Sequence, residues 1–426
     1  MSMTIQQSCP KCYAALSVLP EADPWCGTCE WNLDVFPRLE GVSWFWRAIV
    51  RLDQRAGFRA HRRLATADPD ERGSRVPYLF LALLSVVIVL ADLALAGAGI
   101  WVLIHGGSLL PWLFGLLLIG FAVLLRPRLG RVKQLQDEST YVVTAEDVPE
   151  LHRLVGQVAA ETGAPVPDRI HLDFDANASA AVVGLRRTRV LTLGVPLMLA
   201  LRPQELVALI GHELGHLKYE DGNRALLIQP ARTLFGRLSR LVRPKISVIV
   251  VLNSGVFGAF YLLLQYVGGL LSLLFATLHT GLAVLAAGDQ RQVELRADLM
   301  SVRAAGSEAV LSTMDVLAMH EMLVGHISPH VRRGEAGAMW RRLLASVRER
   351  EAPNRAAYRQ LSNRTGASLL SGHPSAGRRY QWLAARPAES ARVVVDQAMA
   401  ARLEREINPY ADAMHRQFTD HPSYWD

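Results

Sequence analysis

The sequence predicts an α+β fold, mainly α, in which one globular domain is interrupted by two transmembrane hairpins and preceded by a small four-cysteine ribbon. Three observations predict it. All four cysteines lie within the first 29 residues, in two CxxC pairs. Two long tracts, 77–126 and 246–288, are apolar and almost free of charge. Elsewhere the chain is polar, with apolar residues at helical spacing and one alternating stretch. The divisions that follow are a ribbon at 1–40, a basic linker at 41–76, a first hairpin at 77–126, a first globular part at 127–245, a second hairpin at 246–288 and a second globular part at 289–426.

The ribbon comes first. Cys9-Pro-Lys-Cys12 and Cys26-Gly-Thr-Cys29 are separated by 13 residues, and no other cysteine follows. Two such knuckles supply four thiolates to one tetrahedral structural zinc. Thiols kept reduced imply a reducing compartment, which puts the ribbon in the cytoplasm. Residues 1–30 are polar and broken by prolines, so they do not read as a signal peptide.

Between Val76 and Leu125 the one charged side chain is Asp92. The runs on either side of His105-Gly-Gly-Ser108 are each near the roughly 20 residues that cross a bilayer. Arg47, Arg51, Arg55, Arg59, Arg62, Arg63, Arg72 and Arg75 precede this hairpin, and Arg126, Arg128, Arg131 and Lys133 follow it. Excess positive charge on both flanks places both in the cytoplasm. The second tract, Ile246 to Gly288, has no ionised residue, a candidate turn at Gly268-Gly269, and arginines on both sides. Half of all residues are hydrophobic and mean hydropathy is +0.17, above what soluble domains carry. The expected setting is thus the cytoplasmic (inner) membrane, crossed several times, with the globular parts facing the cytoplasm.

Net charge is +7, and all but four of the basic residues are arginine, spread along the chain. With no basic tract interleaved with aromatics, nucleic acid is not an expected partner.

In the globular parts, "VPELHRLVGQVAAETG" reads as a helix ending at Gly163. "RIHLDFDANASAAVVGLRRTRVLTLG" reads as two antiparallel strands turning near "GLRRTR". "RPQELVALIGHELGHLKYEDG" has its apolar residues at i, i+3, i+4 and i+7 behind an Arg-Pro start, and so is a helix. Residues four apart share a helix face, so His212 and His216 can hold one ion between them, with Glu213 beside it to take and return a proton. A third ligand is needed. "QVELRADLM" offers Glu294, on a new helix after the second apolar tract, with Asp298 one turn on to accept from a ligand histidine. Asp221 is a further candidate acceptor or helix-terminating group. His320 and His326 are six apart, point to different helix faces, and read as ordinary histidines.

These residues resemble the HtpX-like membrane zinc metallopeptidases of peptidase family M48, bacterial relatives of the CAAX prenyl protease. The likeness rests on "HELGHLKYED" (His212–Asp221), "ELRAD" (Glu294–Asp298), "NASAAVVG" (Asn177–Gly184) and "HPSAGRR" (His373–Arg379), and covers about residues 77–385. It implies a gluzincin-type metalloprotease domain with zinc on His212, His216 and Glu294 and with Glu213 as catalytic base. It also implies substrate lying extended along Asn177, Ala178, Ser179 and Ala180, and His373 and Arg379 acting on the oxyanion or the substrate backbone. Two zinc ions, one catalytic and one structural, are the cofactors. The implied partners are the lipid bilayer and extended polypeptides, chiefly membrane proteins under quality control. A specific processing peptidase and a catalytically inactive membrane adaptor share the same frame. Ser179 stands where the family usually has phenylalanine, and the ribbon is an addition to the family plan.

Overall fold

The computed structural model describes residues 5–20, 22–33, 44–63, 68, 76–126, 139–184, 186–219, 222–243, 258–323, 325, 339–369 and 373–420. The chain divides into two compact units, one of residues 1–72, 130–221 and 290–426, the other of 73–129 and 222–289. It is mainly helical with a small sheet content.

The first unit begins with β1 (Ile5–Ser8) and β2 (Ala15–Val18), an antiparallel hairpin whose turn is the first CxxC knuckle. Cys9 N–H donates to Ala14 O and Tyr13 N–H to Cys9 O; the second knuckle repeats the pattern, with Cys26 N–H to Trp31 O and Glu30 N–H to Cys26 O. The stretch expected as a linker contains α1 (Trp44–Arg63). Its arginines recur every fourth residue, which leaves an opposite face free to bury Gln54, Phe58 and His61.

A four-stranded sheet follows, of β3 (Tyr141–Val143), β4 (Arg169–Asp173), β5 (Ala178–Val183) and β6 (Thr188–Gly194), in the order β3-β4-β6-β5. The expected pair of strands is in fact three. Phe174-Asp-Ala-Asn177 breaks the first run, since Asp and Asn bond their own backbone in turns. β4 therefore pairs parallel with β6, while β5 and β6 form the antiparallel hairpin, turning after Gly184. Helix α4 (Pro149–Thr162) ends at left-handed Gly163 and packs Leu151, Leu154, Val155 and Val158 into the core. The short α5 (Val195–Ala200) leads into α6 (Pro203–Tyr219), which is buried for thirteen consecutive residues from Glu205 to Leu217.

Helix α8 (Gly258–Ala305) is continuous for 48 residues, so the turn expected at Gly268-Gly269 does not occur. A helix satisfies every backbone group internally, and in an apolar run nothing competes to break it. Glu294 and Asp298 accordingly lie on the same helix as the apolar tract. The unit is completed by α9 (Ser307–Ala318), α10 (Trp340–Arg350), α11 (Arg355–Thr365), α12 (Ala376–Ala384) and α13 (Gln397–Asp420).

The second unit contains α2 (Val76–His105) and α3 (Leu109–Leu125), packed together across the short turn at 106–108, with α7 (Gly222–Val242) and the first part of α8. Leu81, Ala231 and Leu282 form its buried centre. Pro230 has no N–H to give to α7, and beside it Ala231 N–H donates to Ser85 Oγ at 3.1 Å. Arg237 donates to Arg126 O at 2.8 Å and also to Leu124 O, capping the end of α3. Much of the rest is outward-facing Leu, Val, Ile, Phe and Trp. Two helices, Val76–His105 and Phe260–Ala305, are long and apolar enough to cross a membrane. Residues 246–257, the start of the expected second hairpin, lie outside the described residues.

Candidate metal centre and active site

The site is built where α6 crosses α8. Gly215 faces Ala297 so closely that a Cβ there would lie 2.6 Å from the Ala297 Cα, and Gly211 faces Ser301 in the same way one turn earlier. Small residues spaced four apart on both helices let the backbones approach, and Ser301 Oγ–H donates to Ala208 O at 2.6 Å across the contact. That approach brings the α8 carboxylates onto the α6 imidazoles. The N-terminal end of α6 is fixed separately by Glu205, which accepts Arg202 N–H at 2.6 Å and Ser312 Oγ–H at 2.6 Å, and pairs with Arg348 through bonds of 2.7 and 2.8 Å.

His212 and His216 face each other with their Nε2 atoms 3.2 Å apart. Glu294 completes the group: its oxygens lie 3.5 Å from His212 Nε2 and 3.3 Å from His216 Nε2. A tetrahedron with metal–ligand bonds of about 2.0–2.1 Å has edges of roughly 3.3–3.4 Å, so these donors fit one zinc ion in both type and separation. The three side chains are buried, and His373, whose own side chain is exposed, places Nδ1 2.7 Å from Glu294 Oε1. His373 thus stands among the donors. Glu213, next to His212, is buried as well.

Behind the donors lies a charged layer. His212 Nδ1 sits 3.0 Å from Asp298 Oδ1, so a proton on Nδ1 is donated to that carboxylate and the Nε2 lone pair turns toward His216 and Glu294. Arg379, a buried side chain, donates through Nε to Asp298 Oδ2 at 2.9 Å and through Nη2 to Asp298 Oδ1. The resemblance implied an arginine working on substrate; the structure places its Nε and Nη2 on Asp298 and beside His212. Burial pushes Asp298 toward its neutral form, but Arg379 and His212 outweigh it and hold the carboxyl well below the usual range. Glu294 is likewise lowered against burial, by His373, His212 and Arg379. Arg379 is raised against its own burial, by Asp298, Glu294 and Glu213.

Beside the site, β5 is the end strand of the sheet, and among the described residues its outer edge has no strand partner. Ala178 and Ala180 pack on the core, and Ser179 faces the opposite way and is exposed. Asn177 precedes the strand, and its carbonyl accepts Gly194 N–H at 2.8 Å. His320 lies 2.6 Å from Ala176 O, an ordinary backbone contact. Asp221 and His326 lie outside the described residues.

The sequence profile of peptidase family M48 matches residues 145–387, more than half of the chain. The chain belongs to peptidase family M48. The match encloses both donor-bearing helices and the His373–Arg379 segment. The chain is also similar to a Protease HtpX homolog of Gemmatimonas aurantiaca, 33% identical over 110 residues. That stretch is 26% of this chain and 38% of the relative, so the chain matches less than half of the relative's length. No solved structure matches the chain.

The cysteines form a second cluster. Cys9 Sγ lies 3.6 Å from Cys29 Sγ, and Cys12 Sγ 3.5 Å from Cys26 Sγ, with all four sulfurs within 4.8 Å of one another. They are free thiols. Bonds of about 2.3 Å to a tetrahedral zinc give sulfur separations near 3.8 Å, so the cluster fits the ion. Burial raises the Cys9 thiol, yet the amides of Cys12 and Lys11 outweigh it and bring it down to about 7. Cys12 goes the other way, up to about 12, despite the Ala14 amide, through burial and the surrounding thiols. A divalent cation would let all four ionise together.

Proposed function

We propose that this M48 peptidase is a membrane-integrated zinc endopeptidase that cuts extended polypeptides, chiefly membrane or membrane-associated proteins, in a quality-control role on the cytoplasmic face. The observation that carries the reading is the convergence of His212, His216 and Glu294, backed by Asp298 and Arg379, beside a strand edge that has no strand partner among the described residues. Zinc bound there would polarise the scissile carbonyl and acidify a water molecule. The chain's own residues do the rest. An extended substrate adds to β5 by backbone hydrogen bonds, with side chains alternating between the two faces of the sheet. Glu213 takes the water proton and returns it to the leaving amine. Asp298 holds His212 in the tautomer that frees Nε2, and Arg379 holds Asp298 ionised. His373, close to Glu294 and otherwise exposed, is placed to donate to developing negative charge on the substrate. The apolar helices α2 and α8, with the flanking arginines, support the membrane setting.

The test is Glu213→Gln in detergent-purified full-length protein, with casein as substrate and zinc counted per chain. Cleavage should fall by about 100-fold or more with zinc content unchanged, the size expected for removing a general base. Cleavage equal to wild type would overturn the assignment.

A further inference from the structure

The four-cysteine ribbon grips one helix of the catalytic unit at several points. Gln360 on α11 accepts Ser17 N–H at 3.3 Å and donates to Trp25 O at 2.9 Å, so one side chain bridges the hairpin and the second knuckle. One turn on, Arg364 is buried and donates to Asp23 O at 2.9 Å and to Asn32 O at 2.7 Å, on either side of Cys26 and Cys29. Trp25 and Leu33 of the ribbon, Phe58 of α1 and Ala367 just past α11 form a separate buried cluster, with Trp25 edge-on to Phe58 at 5.6 Å. Asp53 of α1 accepts Leu369 N–H at 2.9 Å.

The far side of α11 is tied equally closely to α12. Ser375 Oγ–H donates to Asn363 Oδ1 at 2.6 Å and Gly377 N–H to Ser362 Oγ at 3.0 Å. A Cβ on Gly377 would fall 2.1 Å from Arg359 O, so the two helices meet backbone to backbone. His373 lies in the corner between α11 and α12, and Arg379 is in the first turns of α12. The guanidinium of Arg378 rests 4.7 Å above the Phe58 ring, joining that corner to α1 as well.

We propose that the metal-loaded ribbon is a positioning element of the active site: it fixes the α11–α12 corner that presents His373 to Glu294 and Arg379 to Asp298. Gln360 and Arg364 are the positioning residues that transmit it. The carbonyls of Asp23, Trp25 and Asn32 flank or precede the second knuckle. When metal closes that knuckle they are held as acceptors; without it the three residues lose their fixed spacing and α11 loses its clamp. The inference rests on the reading of His212, His216, Glu294 and Glu213 given above.

The experiment uses full-length protein in detergent with three variants: Arg364→Met, Arg364→Lys and the pair Cys26→Ser/Cys29→Ser. Each is assayed for kcat and KM on casein. Each is also loaded with cobalt, whose near-ultraviolet thiolate bands report the ribbon; both centres absorb in the visible, so the visible bands of the His/Glu site are taken as the difference between each protein and its counterpart carrying His212→Ala/His216→Ala. Arg364→Met should keep both sets of bands in amount, shift the visible bands of the His/Glu site, and lower kcat about 10- to 100-fold with KM within about twofold, the range for loss of an outer positioning group. Arg364→Lys should recover part of kcat, and the cysteine pair should lose the thiolate bands and reproduce the kcat loss. If the cysteine pair does not fold, Arg364→Met alone decides. Wild-type kcat together with unshifted visible bands in Arg364→Met would overturn the proposal. Failure of the underlying reading is separate: it would appear as full activity in Glu213→Gln, whatever the ribbon variants do.

Discussion

The two donor clusters are built in opposite ways. The four cysteines come from two short turns of a small hairpin, each closed by its own local backbone bonds, and few residues beyond the ribbon are needed to bring the sulfurs together. His212 and His216 come from α6 and Glu294 from α8, and they meet because the two helices approach at Gly211 and Gly215. A local cluster depends on turn geometry and its ion. A long-range cluster depends on helix packing, so a change that parts the helices should empty one centre and spare the other.

Gly215→Val is the sharpest way to break that comparison. The new Cβ would sit 2.6 Å from the Ala297 Cα and 2.7 Å from its Cβ, and backbone cannot rotate away as a long side chain can. The helices must separate, carrying Glu294 and Asp298 off the histidines, at an overpacking cost of about 1–3 kcal/mol. If each cluster holds one zinc ion, as proposed, cleavage should fall to background and one ion per chain should be lost, with the thiolate-bound ion retained. Two zinc ions with full activity would show that the crossing tolerates the added bulk.

Arg348→Ala tests the comparison from outside either cluster. It leaves Glu205 buried with its charge unmatched at the head of α6, a loss of about 3–5 kcal/mol. Since Glu205 and Arg348 anchor the same helix that carries the histidines, thermal loss of the His/Glu centre should move to lower temperature while the ribbon's metal is affected less. Glu205 also gives a pH dependence of known sign. Burial raises its pKa, but Arg348 and the donors from Ser312 and Arg202 lower it below the ordinary 4.5. The unfolded chain therefore takes up the proton first, and this contribution, complete above the ordinary value, is lost as pH falls through the folded one. Between about pH 6 and about pH 3 the wild type should lose more stability than Glu205→Gln, measured by thermal denaturation. An equal loss would remove Glu205 from the account.

The sequence made the local parts legible. HExxH announces itself because the helical repeat puts residues four apart on one face, and two CxxC pairs announce a knuckle site for the same local reason. Glu294 is suggested as a third ligand by its place after an apolar tract, which says where the chain returns but not how the helices meet. The sequence signal for their meeting is Gly211 and Gly215 on one helix and Ala297 and Ser301 on the other, all small and spaced by four. The division of the sheet into β4 and β5 was missed because alternation continues across Phe174–Asn177. The helix α1 was missed because its arginines masked a buried face set by Gln54, Phe58 and His61. The bond of Arg379 to Asp298 is not legible in the motif, which gives spacing along the chain, whereas this is a contact across the fold.

The smallest effect belongs to the edge strand. Ser179 replaces a residue that the family resemblance makes aromatic, and from sequence that departure bears on side-chain preference in the cleft. In the structure the alternation of β5 puts Ala178, Ala180 and Val182 on the core and Ser179 on the exposed face. Restoring the ring with Ser179→Phe therefore adds a group that displaces no packed neighbour. Stability should stay within about 0.5 kcal/mol, zinc content should match the wild type, and kcat/KM on casein should change by less than about tenfold. Ala180→Phe places the same ring one residue on, on the core face, and should cost stability through overpacking of about 1–3 kcal/mol. If the two variants behave alike, the alternation read from β5 is wrong, and with it the direction from which substrate side chains would meet the strand.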